Sequence, residues 1–316
     1  MNVEEVVTGV LEGDRRATAR AISMVEDGAG DLPELIQGLF PKTGKAYSVG
    51  LTGSPGVGKS SLAAALVKTI RGHDRTVAVL AIDPTSPFTG GALLGDRLRM
   101  QTHATDPEVF IRSMATRGHL GGLALAAPEA VRVLDASGAE VILIETVGVG
   151  QAEVEVATAA DTTLVVVAPG WGDAVQASKA GILEIADVFV VNKADRDGAS
   201  EAARDLETML RMGPDLDWVP PVIRTSTVNS EGIDEVWEAV ESHRKHLEAS
   251  GELDRRRRTR LLREVEEMVS VRLRDRAASM LEQGAMEELA DDLVARRVDP
   301  YRAADILVGE VGREDR

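Results

Sequence analysis

The segment Gly53-Ser54-Pro55-Gly56-Val57-Gly58-Lys59-Ser60 constrains this chain more than any other feature. It follows the apolar run YSVGL and opens the helical pattern SLAAALVKTI, the strand, loop and helix order that a phosphate-binding loop requires. Glycines let backbone N–H groups turn inward around phosphate oxygens, and the helix N-terminus adds positive potential. Lys59 is placed to reach the β and γ oxygens, and the Ser60 hydroxyl is offered to Mg2+. Ser54, Pro55, Val57 and Ser61 complete the cradle. A lysine followed by a serine in that frame has no packing purpose, so a plain glycine turn is a poor reading.

Around the loop, short β-branched runs alternate with helical segments: YSVGL, VAVLAI (77–82), VILIE (141–145), LVVVA (164–168), VFVV (188–191) and VIRT (222–225). Continuous apolar runs imply strands buried on both faces, and their alternation with helices implies a parallel sheet between two helical layers. The fold class is therefore α/β, a three-layer P-loop NTPase domain over about 46–246. Helical spacing of Val3, Val6, Val7 and Val10, then Leu32, Leu35, Ile36 and Leu39, predicts a helical extension over 1–45. Asp31 and Glu34 read as a capping box at one of its helix starts. From 247 to 316 no strand signal remains. Leu262, Val265, Val269, Leu273, Ala277 and Met280 draw one apolar stripe on a helix predicted over about 254–283. That stripe packs either on a second copy of the chain, as a dimerisation arm, or back on its own domain.

Ligands of such sheets bind at the carboxyl ends of the strands, and the remaining motifs fall there. Asn192-Lys193-Ala194-Asp195 directly follows VFVV. A carboxylate at Asp195 offers only acceptors and pairs with the N1–H and 2-amino donors of guanine; adenine presents neither donor, so GTP and GDP are the expected ligands. Ser226 and Thr227, after VIR and Thr225, occupy the place of a third guanine-contacting loop. Asp83, Asp96 and Glu145, at or beyond strand ends, are candidates to hold Mg2+ with Ser60. Glu145-Thr146-Val147-Gly148 stands where an Asp-x-x-Gly switch is usual, with the Gly148 amide placed to sense the γ-phosphate. Lys59, Asp83, Asp96, Glu145 and Gly148 are thus the candidate catalytic set. No glutamine immediately follows Gly148 to orient the attacking water, which predicts slow hydrolysis that a partner accelerates.

Composition narrows the alternatives. The absence of cysteine excludes disulfides and thiolate metal sites, and 52 acidic against 36 basic residues give a net charge of −16 that repels a nucleic-acid backbone. Aromatic content of 3% removes stacking platforms for single strands. No run of eighteen apolar residues suggests a membrane span, and the acid- and base-rich N-terminus is unlike a signal peptide, so a cytoplasmic location is expected. His243 and His246 share a helix face without a third ligand and are read as solvated surface. The Arg255–Arg258 run, followed by Glu264, Glu266 and Glu267, is read as a salt-bridged helix face.

These residues resemble the MeaB/ArgK type of methylmalonyl-CoA mutase-associated GTPases. The likeness runs through GLTGSPGVGKSSL, VAVLAIDPTSPFTGGALLGDRLRM, FIRSMATRGHLGG, VILIETVGVGQAEVEVA, GWGDAVQASKAGILEIADVFVVNKAD and TSTVNSEGIDEVWEAVESHR, spanning about 47–245. It implies a homodimeric GTP-dependent chaperone of an adenosylcobalamin-dependent acyl-CoA mutase, coupling hydrolysis to cofactor loading, protection and reactivation. By the same resemblance Asp83, Asp96 and Glu145 match the metal-site acids, and Asp173, Gln176 and Lys179 belong to a loop that responds to the mutase. The chain has no Asp-x-His-x-x-Gly cobalamin pattern, so the cofactor is expected on the partner. A nickel-delivery GTPase, which needs histidine- or cysteine-rich segments, and a transport-protein kinase are the competing readings.

Overall fold

Strands made of uninterrupted apolar residues need cover on both faces, and the helices of this chain supply it. A computed structural model describes residues 1–83, 105–115, 123–146, 159–170, 185–214, 216–282 and 287–311. They divide into two compact units, Met1–Arg260 and Leu261–Arg316. In the first unit, β1 (Tyr47–Thr52), β2 (Val77–Asp83), β3 (Val109–Ala115), β4 (Val141–Thr146), β5 (Thr162–Val167), β6 (Val188–Val191) and β7 (Val222–Arg224) form one parallel sheet. Its order is β3-β2-β4-β1-β5-β6-β7, so the chain runs outward from β1 to β3, returns through β4 and passes β1 to build the other half, which puts the crossover of connections beside β1. The crevice at such a reversal is where open α/β sheets bind ligands. Every residue of β1, β4, β5 and β6 is buried.

Alternate residues of these strands build two cores. On one face Val49, Leu51, Leu143, Leu164 and Val166 pack with α4 (Lys59–Gly72) and α7 (Ile233–Ser250) through Leu62, Leu66, Val236 and Val240. On the other, Ile142 and Ile144 meet α1 (Val3–Leu11), α2 (Arg15–Asp27), α3 (Leu32–Leu39) and α5 (Leu123–Ala136). On that face too, Val165, Val167, Phe189 and Val191 meet α6 (Ala199–Met212). The predicted N-terminal helices are present, and α1 starts in a reciprocal capping box between Asn2 and Glu5. At α3 the expected box is absent, because Asp31 makes no side-chain cap bond. Strand β3 has no counterpart among the apolar runs, because its polar Arg112 and Ser113 interrupt the pattern. Arg15 covers the start of that edge strand by donating to the carbonyls of Pro107 at 3.1 Å and Val109 at 2.8 Å. The second unit begins within α8 (Glu252–Glu282) and adds α9 (Glu287–Val294) and α10 (Pro300–Val311). Leu262, Val265, Val269 and Leu273 of α8 form an exposed stripe.

The N-terminal ends of β1, β5 and β6 converge on a buried polar network, and here one sequence expectation fails and another is met only in part. His243 is 0% exposed instead of solvated, and His246 is half-buried. Tyr47 Oη lies 2.6 Å from Thr162 Oγ1, which lies 2.8 Å from His243 Nδ1, and His243 Nε2 faces Asp187 Oδ1 at 3.2 Å. The arginine run does pair within its own helix, with Glu252, but it also reaches two buried aspartates. Arg255 and Arg256 pair with Glu252, Arg256 also reaches Asp187 at 3.1 Å, and Arg257 grips Asp161 at 2.7 Å. The physical reason is that Asp161 and Asp187 sit at the buried ends of strands, where a carboxylate needs a cation more than a solvated glutamate does. Burial pushes Asp161 up, but the Arg257 hydrogen bonds and the charges of Arg260 and Arg257 outweigh it and hold the carboxyl below the usual range. For Asp187 burial wins over Arg256 and the group is raised.

Burial, reinforced by the Arg256 charge, pushes the His243 imidazole down from its ordinary 6.5 to about 3, so the folded ring is neutral. The unfolded chain takes up this proton near 6.5 and the folded chain does so only near 3. Stability contributed by the neutral ring is therefore complete above the first value and is lost as pH falls toward the second. Melting midpoints measured between neutral pH and mildly acidic pH should drop less in His243→Gln than in the parent; equal drops would count against the assignment.

Candidate functional site

The register of β5 against its two neighbours brings the phosphate-binding loop and the guanine motif together. Thr52 pairs with Val165, which leaves Gly53 beside Val166, and Val167 pairs with Val191, which leaves Asn192 donating its amide to the Val167 carbonyl at 2.8 Å. Gly53 has φ of 133°, and a Cβ there would lie well inside contact distance of the Val166 carbonyl oxygen. Gly58 opens α4 at φ of 100°, and a Cβ there would strike the Asn192 side-chain amide. Both positions need glycine for conformation and for space.

Within the loop, the buried Lys59 ammonium donates to the carbonyls of Gly53 and, at 3.1 Å, Ser54. Pro55 and Gly56 are exposed at the rim, Val57 is buried beneath it, and Ser61 lies in the first turn of α4. The Ser60 hydroxyl donates to the carboxylate of Glu145, which is 1% exposed at the end of β4. A hydroxyl and a carboxylate in contact beside a helix N-terminus are hard oxygen donors of the kind Mg2+ takes, so the residues present fit that ion. Asp83 closes β2 two residues past Ala81, which pairs with Glu145; its side chain lies outside the described residues. Asp96, Gly148, Asp173, Gln176 and Lys179 also lie outside them.

The guanine motif is tied to this loop by side chains. Asn192 is fully buried and donates through Nδ2 to the Val57 carbonyl at 2.9 Å, while Lys193 donates to the Gly56 carbonyl at 2.6 Å. Lys193 adopts φ of 60°, a left-handed turn that sends the chain out toward the exposed Asp195. Ser226 Oγ donates to Asp195 Oδ1 at 2.7 Å, and this hydroxyl holds the Asp195 carboxyl below its usual range. An exposed carboxylate held in this way offers only acceptors, the chemistry that the guanine reading requires. Thr227 continues the turn after Ser226, which an isolated bridge joins to Glu231. One participant escaped the sequence reading: Thr225, fully buried, donates to Asn192 Oδ1 at 3.2 Å. Its place at the end of β7, just before Ser226, was the signal that could have found it. A groove of about 1150 Å3 elsewhere in the first unit is lined by Asp187, Trp218 and His246 and includes none of these nucleotide residues.

Replacing the Asp195 acceptor by a donor tests the base reading. Asp195→Asn should weaken GDP binding by at least about a hundredfold and favour xanthosine diphosphate, whose C2 oxygen accepts where guanine donates. Unchanged GDP affinity measured by calorimetry would reject the assignment.

Comparison with known proteins shows the family to which the chain belongs. Residues 18–282 match the family described as methylmalonyl Co-A mutase-associated GTPase MeaB. A protein of Pyrococcus abyssi named as a GTPase is 49% identical over 313 residues, covering 98% of this chain and 97% of its own. The mitochondrial methylmalonic aciduria type A homolog of Caenorhabditis elegans is 36% identical over 282 residues, covering 82% of this chain and 70% of its own. A crystal structure described as a LAO/AO transport system kinase superposes with a TM-score of 0.73 at 25% identity, covering 98% of this chain and 97% of that one. With its phosphate loop, its guanine motif and the match over 18–282, this chain belongs to the family of methylmalonyl Co-A mutase-associated GTPases, as a P-loop protein that binds guanine nucleotide.

Proposed function

We propose that this GTPase serves as a chaperone of an adenosylcobalamin-dependent acyl-CoA mutase, with methylmalonyl-CoA mutase as the first client to test. The observation that carries the proposal is the family match over residues 18–282, supported by likeness to a protein named for methylmalonic aciduria. GTP hydrolysis would be coupled to loading, protection and reactivation of the mutase cofactor, in the cytoplasm.

In the chemical step a water oxygen bonds to the γ-phosphorus while the bond from that phosphorus to the β,γ-bridging oxygen breaks, giving GDP and phosphate. Lys59, released from the loop carbonyls, meets the β and γ oxygens. Ser60 and Glu145, with Asp83 and Asp96, would hold Mg2+, which neutralises charge on the phosphates. Gly148 reports the γ-phosphate to the following segment. Asp173, Gln176 and Lys179 are proposed to respond to the mutase. The lack of a glutamine directly after Gly148 supports slow hydrolysis in the isolated chain.

The exposed stripe Leu262, Val265, Val269 and Leu273 supports a homodimer built on α8, because one chain leaves these residues about half exposed. A transport-protein kinase is the second reading, favoured by likeness to the crystal structure described as a transport system kinase.

Phosphate release should rise at least about tenfold when the mutase is added, a modest fraction of what partners achieve in other GTPases; transfer of the γ-phosphate to a protein instead would favour the kinase. A pull-down with a nonhydrolysable GTP analogue that recovers no cobalamin-dependent mutase would reject the chaperone reading. Leu262→Asp combined with Val265→Asp should shift the mass in light scattering from two chains to one, and an unaltered mass would reject the α8 dimer.

A further inference from the structure

The two aspartates that open β5 and β6 repeat one device. Each follows an alanine, in Ala160-Asp161 and Ala186-Asp187, and each extends the ladder past the last strand pair. Asp161 accepts the Ser48 amide at 3.1 Å and returns its own amide to the Ser48 carbonyl at 2.9 Å. Asp187 accepts the Thr163 amide at 2.8 Å and returns its own to the Thr163 carbonyl at 3.0 Å. An asparagine would satisfy these bonds equally well, so strand capping does not explain a charge at either place.

The charges are answered from a single stretch of helix. In the first turns of α8, which belong to the first unit, Arg256 reaches Asp187 at 3.1 Å and the Asp161 carbonyl at 3.5 Å. Arg257 holds both oxygens of Asp161, at 3.1 and 2.7 Å. It also takes the carbonyls of Gly44 at 2.9 Å and Ala46 at 2.8 Å, in the lead-in to β1. One helical turn thus grips the starts of β1, β5 and β6. The far ends of the same three strands carry the phosphate loop, its Val166 neighbour and the guanine motif, tied by the Asn192 bond to Val57. β1 and β5 are six residues long and β6 is four, so the grip and the site are separated by short, stiff strands.

We infer that Arg256 and Arg257 are positioning residues for the nucleotide site, fixing through Asp187 and Asp161 the starts of the strands whose far ends set the guanine motif against the phosphate loop. The inference rests on the guanine reading of Asp195. Loss of the Arg256 charge loosens the Asp187 carboxylate at the start of β6, which keeps its Thr163 bonds, so the alignment of Asp195 with the base suffers before the phosphate contacts do.

The test is the ratio of GDP to inosine diphosphate affinity, because inosine lacks the 2-amino donor and the ratio reads that alignment. Measured well below the melting midpoint, the ratio should fall at least about threefold in Arg256→Ala, a small part of the hundredfold that a 1 Å misplacement can cost. Arg255→Ala, which removes an exposed arginine paired with Glu252, should leave it unchanged. A lower midpoint with an intact ratio makes Arg256 a structural staple only and overturns the inference. If Arg256→Ala is not recovered folded, Arg256→Lys is read the same way: a fallen ratio supports positioning and an unchanged one overturns it. A parent chain with no preference for GDP over inosine diphosphate overturns the guanine reading, and this inference with it.

Discussion

The site depends on one shared strand. β5 lies between the strand that feeds the phosphate loop and the strand that feeds the guanine motif, so its register against each decides how far apart the two loops stand. The Val166 carbonyl fills the space beside Gly53 and the Val167 carbonyl takes the Asn192 amide, consecutive acceptors serving opposite neighbours. Parallel pairing alternates in this way by geometry. A slip of one residue would reverse every buried side chain of β5, and both hydrophobic cores forbid it.

Charge at the opposite end of the sheet has a different logic. Desolvating a carboxylate is expensive, and an ion pair often does no more than recover that cost. Asp161 and Asp187 are therefore weak evidence of net stability, while removal of a partner would leave a buried carboxylate short of its cation. Arg256 and Arg257 reach them from one helix. The neutral Tyr47, Thr162 and His243 chain fills the remaining polar space without bringing in more charge.

Legibility in the sequence followed locality. The phosphate loop, the guanine motif and six of the strands were readable because each is specified by residues adjacent in the chain. Ser60 and Glu145, at a helix start and a strand end on the same side of the sheet, meet in a hydrogen bond. What escaped was set by distant partners. His243 shows a polar residue on a helix face, and only the meeting of α7 with Thr162 and Asp187 tells that it is buried. The arginine run has acidic neighbours in sequence, yet Arg257 holds an aspartate about a hundred residues away, at Asp161. β3 carries an arginine that pairs with Glu26 of α2, a contact its own seven residues could not announce.

Arg15 carries a consequence for how these molecules behave beside one another. The sheet ends on one side in β3, an edge strand whose outward carbonyls invite pairing with any extended chain. Val77 of β2 takes the Glu108 carbonyl, which leaves the Val109 carbonyl turned to the open side, and the Arg15 guanidinium occupies it together with Pro107. The other edge, β7, is only three residues long and presents too little backbone to template a partner. Among the described residues, a guanidinium over the start of one border and brevity at the other thus leave less open backbone for a foreign strand to join.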